Sequence, residues 1–223
     1  MQYAVHIITT TFRADHTPGI FPESISAAGY THIYAASAYI DPGTYQLAFT
    51  RQDDAYIWER LTALRQTNPG LQIWLSVGGW YMNTPGQPTE FTWSNVVASS
   101  ANDATFFTSL VGMLGAYGFD GVDIDWRWPG SSTRSTNAAD GHNYAASIQS
   151  LRAQLDATGY AYGLSVTLPG SSKYLSYHDL ESLRHSVDWF NVLSYNIHVG
   201  ERFLICTLVL DANVTRTILS PVP

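Results

Sequence analysis

The stretch Phe119-Asp120-Gly121-Val122-Asp123-Ile124-Asp125-Trp126-Arg127-Trp128-Pro129-Gly130 decides the fold. Val122, Ile124 and Trp126 alternate with Asp123, Asp125 and Arg127, the two-residue period of a strand with an apolar and a polar face. Two carboxylates side by side on a buried strand are costly, because like charges oppose each other's ionisation and burial opposes both. Such a row marks a working site. Pro129-Gly130 stops the strand, so Arg127 is expected at its C-terminal mouth. Asp120 has the other parity and reads as structural.

Working outward, Gly118 closes a helix whose apolar face carries Phe106, Phe107, Leu110, Val111, Leu114 and Tyr117, with Asn102 or Asp103 as its expected cap. Before it, Leu71–Val77 reads as a strand closed by Gly78-Gly79-Trp80, and residues 81–100 as a long Pro/Gly/Thr loop. Earlier still come a first strand over Tyr3–Thr9, a second over Thr31–Asp41 and a helix over Asp54–Thr67. After the acidic stretch, Tyr144, Ile148, Leu151 and Leu155 mark another helix. Tyr162–Leu168 is a fifth strand, His178–Arg184 a short helix and Val187–Tyr195 a sixth strand. Strands alternating with helices argue for parallel β/α units. Pattern alone leaves a doubly wound open sheet and a (β/α)₈ barrel both open.

The chain has 223 residues, enough for one large domain, with 45% hydrophobic and 13% charged residues, which excludes a disordered class. The formal net charge of −7 argues against nucleic acid and anionic membranes as partners. No apolar run approaches the roughly 18 residues of a membrane span. Seven Trp, fourteen Tyr and nine Phe suit a carbohydrate groove, although an aromatic core accounts for the same count. Cys206 is the single cysteine and has no internal disulfide partner. The seven histidines lack metal-type spacing, so no metal or other cofactor is expected. Ser76 lacks the Gly-x-Ser-x-Gly elbow of a hydrolase nucleophile. Asp-x-Asp alone also occurs where a sugar transferase holds a divalent ion, but the apolar strand around it argues otherwise.

The acidic stretch resembles the Asp-x-x-Asp-x-Asp-x-Glu strand of family 18 glycoside hydrolases, the chitinase family. Asp120, Asp123 and Asp125 match its three acids, and Arg127 stands where the family has its catalytic Glu. Ser76-Val77-Gly78-Gly79-Trp80 is similar to the family's Ser-x-Gly-Gly signature. Residues 189–198 resemble its sixth strand, with Tyr195 for the Tyr and Asn196 for the Asp of Met-x-Tyr-Asp. The resemblance covers roughly residues 23–198 and is nearest the fungal-type, class V members. It implies a TIM-barrel fold, here truncated after the sixth strand, over 1–198, followed by a divergent tail over 199–223. The tail's Phe203–Leu210 run is β-prone and could pair against the sixth strand. The Asn213-Val214-Thr215 sequon carries little weight.

The resemblance also implies a chemistry. In family 18 the substrate's own acetamido oxygen attacks the anomeric carbon, one Glu protonates the leaving oxygen, and the neighbouring Asp orients the acetamido group; most other glycosidases use two protein carboxylates. Asp125 is then the orienting acid, Asp123 its charge-sharing neighbour and Tyr195 the partner of the acetamido oxygen. Trp80 and Trp128 are the candidate sugar-stacking rings, with Gly79 and Asn196 beside the substrate. Asp120, Ser76 and Gly78 frame the motif. Arg127 cannot serve as the acid, since a guanidinium stays protonated, and it is expected to pair with Asp125. The expected partner is chitin or an N-acetylglucosamine oligosaccharide, bound by a monomer. The alternative is a chitinase-like lectin that binds without turnover. Extracellular location follows from the resemblance; Met1–His6 carries no signal-peptide pattern.

Overall fold

A computed structural model describes residues 4–8, 21–135, 137–193 and 207–211. Its sheet follows the chain: β1 (Ala4–Ile8), β2 (His32–Ile40), β4 (Gln72–Gly78), β5 (Gly121–Asp125), β6 (Gly163–Pro169) and β7 (Trp189–Leu193) lie side by side, all parallel. A short strand, β3 (Leu47–Ala48), folds back antiparallel on the end of β2. This is the α/β barrel architecture with sites at the C-terminal ends of the strands, and the pattern alone had left an open sheet possible.

Helices fill the crossovers: α1 (Asp54–Ala63), α2 (Thr92–Val97), α3 (Ser100–Tyr117), α4 (Asp140–Ala157), α5 (Ser172–Leu175) and α6 (Leu180–Leu183). The outward strand face carries Leu75, Val77, Val122, Ile124, Leu164 and Val166, all fully buried in one core with Phe106, Leu110, Leu114, Ile148, Leu151 and Leu155. Each such side chain contributes about 1.5–3 kcal/mol by leaving water.

Several boundaries differ from the sequence reading. Ser99, not Asn102 or Asp103, caps α3, its Oγ accepting the Asn102 amide at 3.4 Å. Gly118 does end that helix, in the left-handed region at φ 67°. Residues 81–100 are not all loop: a 3-10 turn covers Trp80–Asn83, and α2 follows. The helix expected over His178–Arg184 is confined to α6, and α5 was not foreseen.

The inner face is different in kind. Trp74 and Trp189 stack inside the barrel with centroids 4.5 Å apart, and the Trp189 indole N–H donates to Tyr34 Oη at 2.9 Å. The Trp74 ring lies across the backbones of β5 and β6. A Cβ on Gly163 would stand 1.9 Å from it, and one on Gly121 would stand 2.6 Å both from the ring and from the Gly163 carbonyl oxygen. Glycine at these two strand positions is what admits an indole to the barrel floor.

Beyond β7 the sheet gains an antiparallel strand, β8 (Thr207–Asp211), in register from Trp189↔Asp211 to Leu193↔Thr207. The β-prone tail therefore lies along the edge of the sixth parallel strand. Backbones of β8 and β1 approach within 8 Å, with no ladder between them among the described residues. Tyr195, Asn196, His198, Cys206 and the Asn213 sequon lie outside the described residues.

Candidate active site

The site grows from the upper end of β5. Parallel pairing sets Ser76 opposite Asp123 and Gly78 opposite Asp125, while Asp123 faces Ser165 on the other side and Thr167 faces Asn191. These inward positions converge on Asp123, which is 0% exposed. One of its oxygens accepts from Ser165 Oγ at 2.8 Å and Asn191 Nδ2 at 2.9 Å, the other from Thr167 Oγ1 at 2.7 Å and Ser76 Oγ at 3.3 Å. Four donors from three other strands thus compensate a buried carboxylate.

Asp125 sits one step higher. Arg127 reaches back from just beyond the strand and holds it with two parallel bonds, Nε to Oδ1 and Nη2 to Oδ2, both 2.6 Å. The pair is nearly enclosed, with side-chain exposures of 13% for Arg127 and 7% for Asp125. Such a fork-to-fork contact is strong and geometrically specific. The predicted pairing of these residues is present in this geometry, with both carboxylate oxygens of Asp125 engaged.

The Ser-x-Gly-Gly turn makes this approach possible. Gly78 (φ 109°) and Gly79 (φ 93°) occupy conformations other residues avoid, and a Cβ on Gly78 would stand 2.5 Å from the Asp125 carbonyl oxygen. The Gly79 amide donates to that same oxygen at 2.9 Å. A Cβ on Gly79 would lie 3.7 Å from Asp125 Oδ2.

Asp120 stands apart, as its parity predicted. Its carboxylate accepts from Arg65 Nη1 at 2.5 Å and from the Ile73 amide at 2.7 Å, tying the 3-10 turn after α1 and β4 to the start of β5.

The two candidate stacking rings part company. Trp80 is 48% exposed on the rim, whereas Trp128 is 3% exposed beneath it, edge-to-face at 5.2 Å. Trp128 therefore offers no free face for a sugar in this conformation, a correction to the expectation from sequence. Arg134 covers both rings, its guanidinium 4.7 Å from the Trp80 centroid and 4.3 Å from that of Trp128.

Burial favours the neutral form of three groups around the acids. Burial, then the negative charge of Asp123, raises the Tyr34 phenol above its ordinary range; Tyr144, behind β5, is raised by burial and by both acids. Burial lowers His178 to about 4. Its ring nitrogens face the Trp126 and Tyr174 carbonyl oxygens at 3.3 and 3.2 Å.

Ser165, Thr167 and Asn191 were missed at the sequence level. Their signal was parity: hydroxyls alternate with Leu164, Val166 and Leu168 on one strand, and an amide lies between Phe190 and Val192 on the next.

The family model for glycosyl hydrolases family 18 matches residues 7–212. Chitinase A1 of Niallia circulans is 35% identical over 150 residues, 62% of this chain and 20% of that protein. The solved catalytic domain 2 of Ostrinia furnacalis Group II chitinase superposes with a TM-score of 0.75 at 23% identity, over 87% of this chain and 50% of that one. The chitinase-like agglutinin of Robinia pseudoacacia superposes at 0.73 and 24% identity, covering 87% and 55%. At these identities the two superpositions speak to the fold alone, and the chain spans about half the length of either structure. No described helix is long and apolar enough to cross a membrane. With six parallel strands in sequence order, Asp123 and Asp125 on the inner face of one of them and a family match over most of its length, this chain belongs to glycosyl hydrolases family 18.

Proposed function

We propose that this chain is a chitinase-family domain that recognises β-1,4-linked N-acetylglucosamine, and that its hydrolytic step is severely impaired. The observation that carries this reading is the Arg127–Asp125 fork. In the family's substrate-assisted scheme Asp125 orients the acetamido group, yet here both its oxygens are occupied. The sugar must open the ion pair before Asp125 can serve. Arg127 stands where a proton donor is needed and has no proton to give at working pH. Loss of a general acid alone costs about 10²–10⁴ in rate.

Within this reading Asp123 shares charge with Asp125, Trp80 offers the stacking face, Tyr195 is the partner of the acetamido oxygen and Asn196 is a substrate-binding residue. Residues 1–198 form the barrel and 199–223 the divergent tail. The protein acts as an extracellular monomer. The same fork favours a second reading, a lectin that binds chitin oligosaccharides and never cleaves them; likeness to an agglutinin bears only on the scaffold.

The test pairs two measurements on the purified chain. Calorimetric titration with chitohexaose should give saturable binding, and a chromogenic chitotriose glycoside should show no hydrolysis above a buffer blank. Turnover within about tenfold of a family member with its Glu intact would overturn the impairment. Absence of oligosaccharide binding would overturn both readings.

A further inference from the structure

We propose that Arg134 is a positioning residue that fixes the Trp80 ring for ligand through the buried Trp128. The inference rests on the carbohydrate reading above for its ligand, and on geometry for its mechanism.

Trp80 and Trp128 leave the barrel on different loops. Trp80 follows β4 and opens the 3-10 turn Trp80–Asn83; Trp128 follows β5. The ladder between β4 and β5 ends at Gly78 and Asp125, before either loop. A nearly half-exposed indole on a short turn would sample several rotamers if its outer neighbours were water alone. Arg134 removes that freedom. Its guanidinium lies over both indoles, 4.7 Å from one centroid and 4.3 Å from the other, and its Nη1 donates to the Asn83 carbonyl at 3.1 Å. Asn83 closes the turn that Trp80 opens, so one side chain grips both ends of that turn and the ring beneath it. Planar guanidinium suits this place, because it stacks on aromatic faces while its N–H groups point outward in plane.

The backbone that delivers Arg134 is itself anchored. The Arg134 amide donates to Ser131 O at 3.0 Å and the Ser131 amide to Trp128 O at 3.2 Å. The next residue, Ser135, donates from Oγ to the buried Asp140, which also accepts from Ser94 Oγ at 2.6 Å. The clamp is thus held from the α4 end before it reaches the rim.

The consequence for binding is preorganisation. A ring already fixed loses less freedom when a sugar stacks on it. Arg134 need not touch the ligand to affect affinity.

The test uses Arg134→Ala, Arg134→Lys, Trp80→Ala and the double variant Trp80→Ala/Arg134→Ala. Three readouts are taken: chitohexaose affinity, acrylamide quenching of tryptophan fluorescence, and the near-ultraviolet circular dichroism of the edge-to-face indole pair. Arg134→Ala should weaken chitohexaose binding roughly 3- to 10-fold, increase quenching and reduce the indole dichroism, with Arg134→Lys between. In the Trp80→Ala background the same substitution should change affinity less than about twofold, since its effect runs through that ring. An equal loss in both backgrounds, or unchanged quenching and dichroism in Arg134→Ala, would overturn the proposal. Should the unsubstituted chain bind no chitohexaose, the carbohydrate reading fails while the two spectroscopic readouts still decide the clamp. Should Arg134→Ala unfold, Arg134→Lys and Arg134→Gln carry the same comparison.

Discussion

Arg127 meets Asp125 fork to fork, two bonds of 2.6 Å between the last residue of β5 and the residue two beyond it. The pair neutralises the charge that the inward row of acids would otherwise leave near the mouth. It also couples the two positions, so that neither can be changed without consequence for the other.

Removing one partner leaves a nearly enclosed charge alone, which typically costs about 3–5 kcal/mol. Arg127→Met and Arg127→Glu are therefore both expected to lose about 3 kcal/mol in urea titrations. The double variant Asp125→Leu/Arg127→Met should regain most of it. Arg127→Glu, although it supplies the missing carboxyl, is expected to show little or no hydrolysis of a chitotriose glycoside. Strong activity from that single change would show that the rest of the site is already in working order.

Asp123 responds differently to different replacements. Three of its four donors are hydroxyls that can rotate and accept instead, from Ser76, Ser165 and Thr167; only Asn191 Nδ2 must donate. Asparagine at 123 therefore keeps a complete network and is expected to cost about 1–2 kcal/mol, the difference between charged and neutral acceptors. Leucine leaves all four donors facing a hydrocarbon and should cost more than about 4 kcal/mol. Equal losses in the two variants, measured by chemical denaturation, would contradict this account.

Acid stability should reflect two opposed groups. His178 is held down at about 4 by burial, below its unfolded value of 6.5, so the stability it contributes is complete above pH 6.5 and falls by about 1.4 kcal/mol per pH unit as pH drops toward 4. Asp103 is pushed up to about 6 by burial, against the pull of its hydrogen bond from Ser147, so its contribution is complete below the unfolded 3.8 and is lost as pH rises through 6. The two slopes oppose each other between pH 4 and 6. Thermal melts of Asp103→Asn should show a steeper acid loss than the parent, and those of His178→Gln a shallower one.

The row at 119–130 was legible because strand parity is local. It placed Asp120 apart from Asp123 and set Arg127 against Asp125, and the structure has both. What parity could not show is convergence between strands. Ser165, Thr167 and Asn191 become partners of Asp123 only through register, which depends on how distant segments pair. Helix α2 was hidden because Pro85, Gly86 and Pro88 precede it closely and read as unbroken loop. Trp128 looked like a twin of Trp80 in the sequence; tertiary packing placed one on the rim and one beneath it.

The tail makes a sharp prediction about edges. Strand β8 shields the otherwise open side of β7, and an open edge invites pairing with another chain. In an antiparallel ladder the amides of successive residues point alternately toward and away from the partner. Of Leu208→Pro and Val209→Pro, one but not both should therefore detach β8 and give oligomers in size-exclusion chromatography with light scattering. Monomers from both variants, and from a chain ending at 206, would show that β7 needs no cover.

The floor of the barrel sets an order on how this sequence can drift. A side chain at 163 has nowhere to go while an indole occupies position 74, so a smaller residue at 74 must come first. Position 121 gains nothing from that change, because the carbonyl of residue 163 stands just as close as the ring. Lineages descending from this chain can therefore lose the second glycine only after losing the tryptophan, and must keep the first as long as β5 and β6 run in this register.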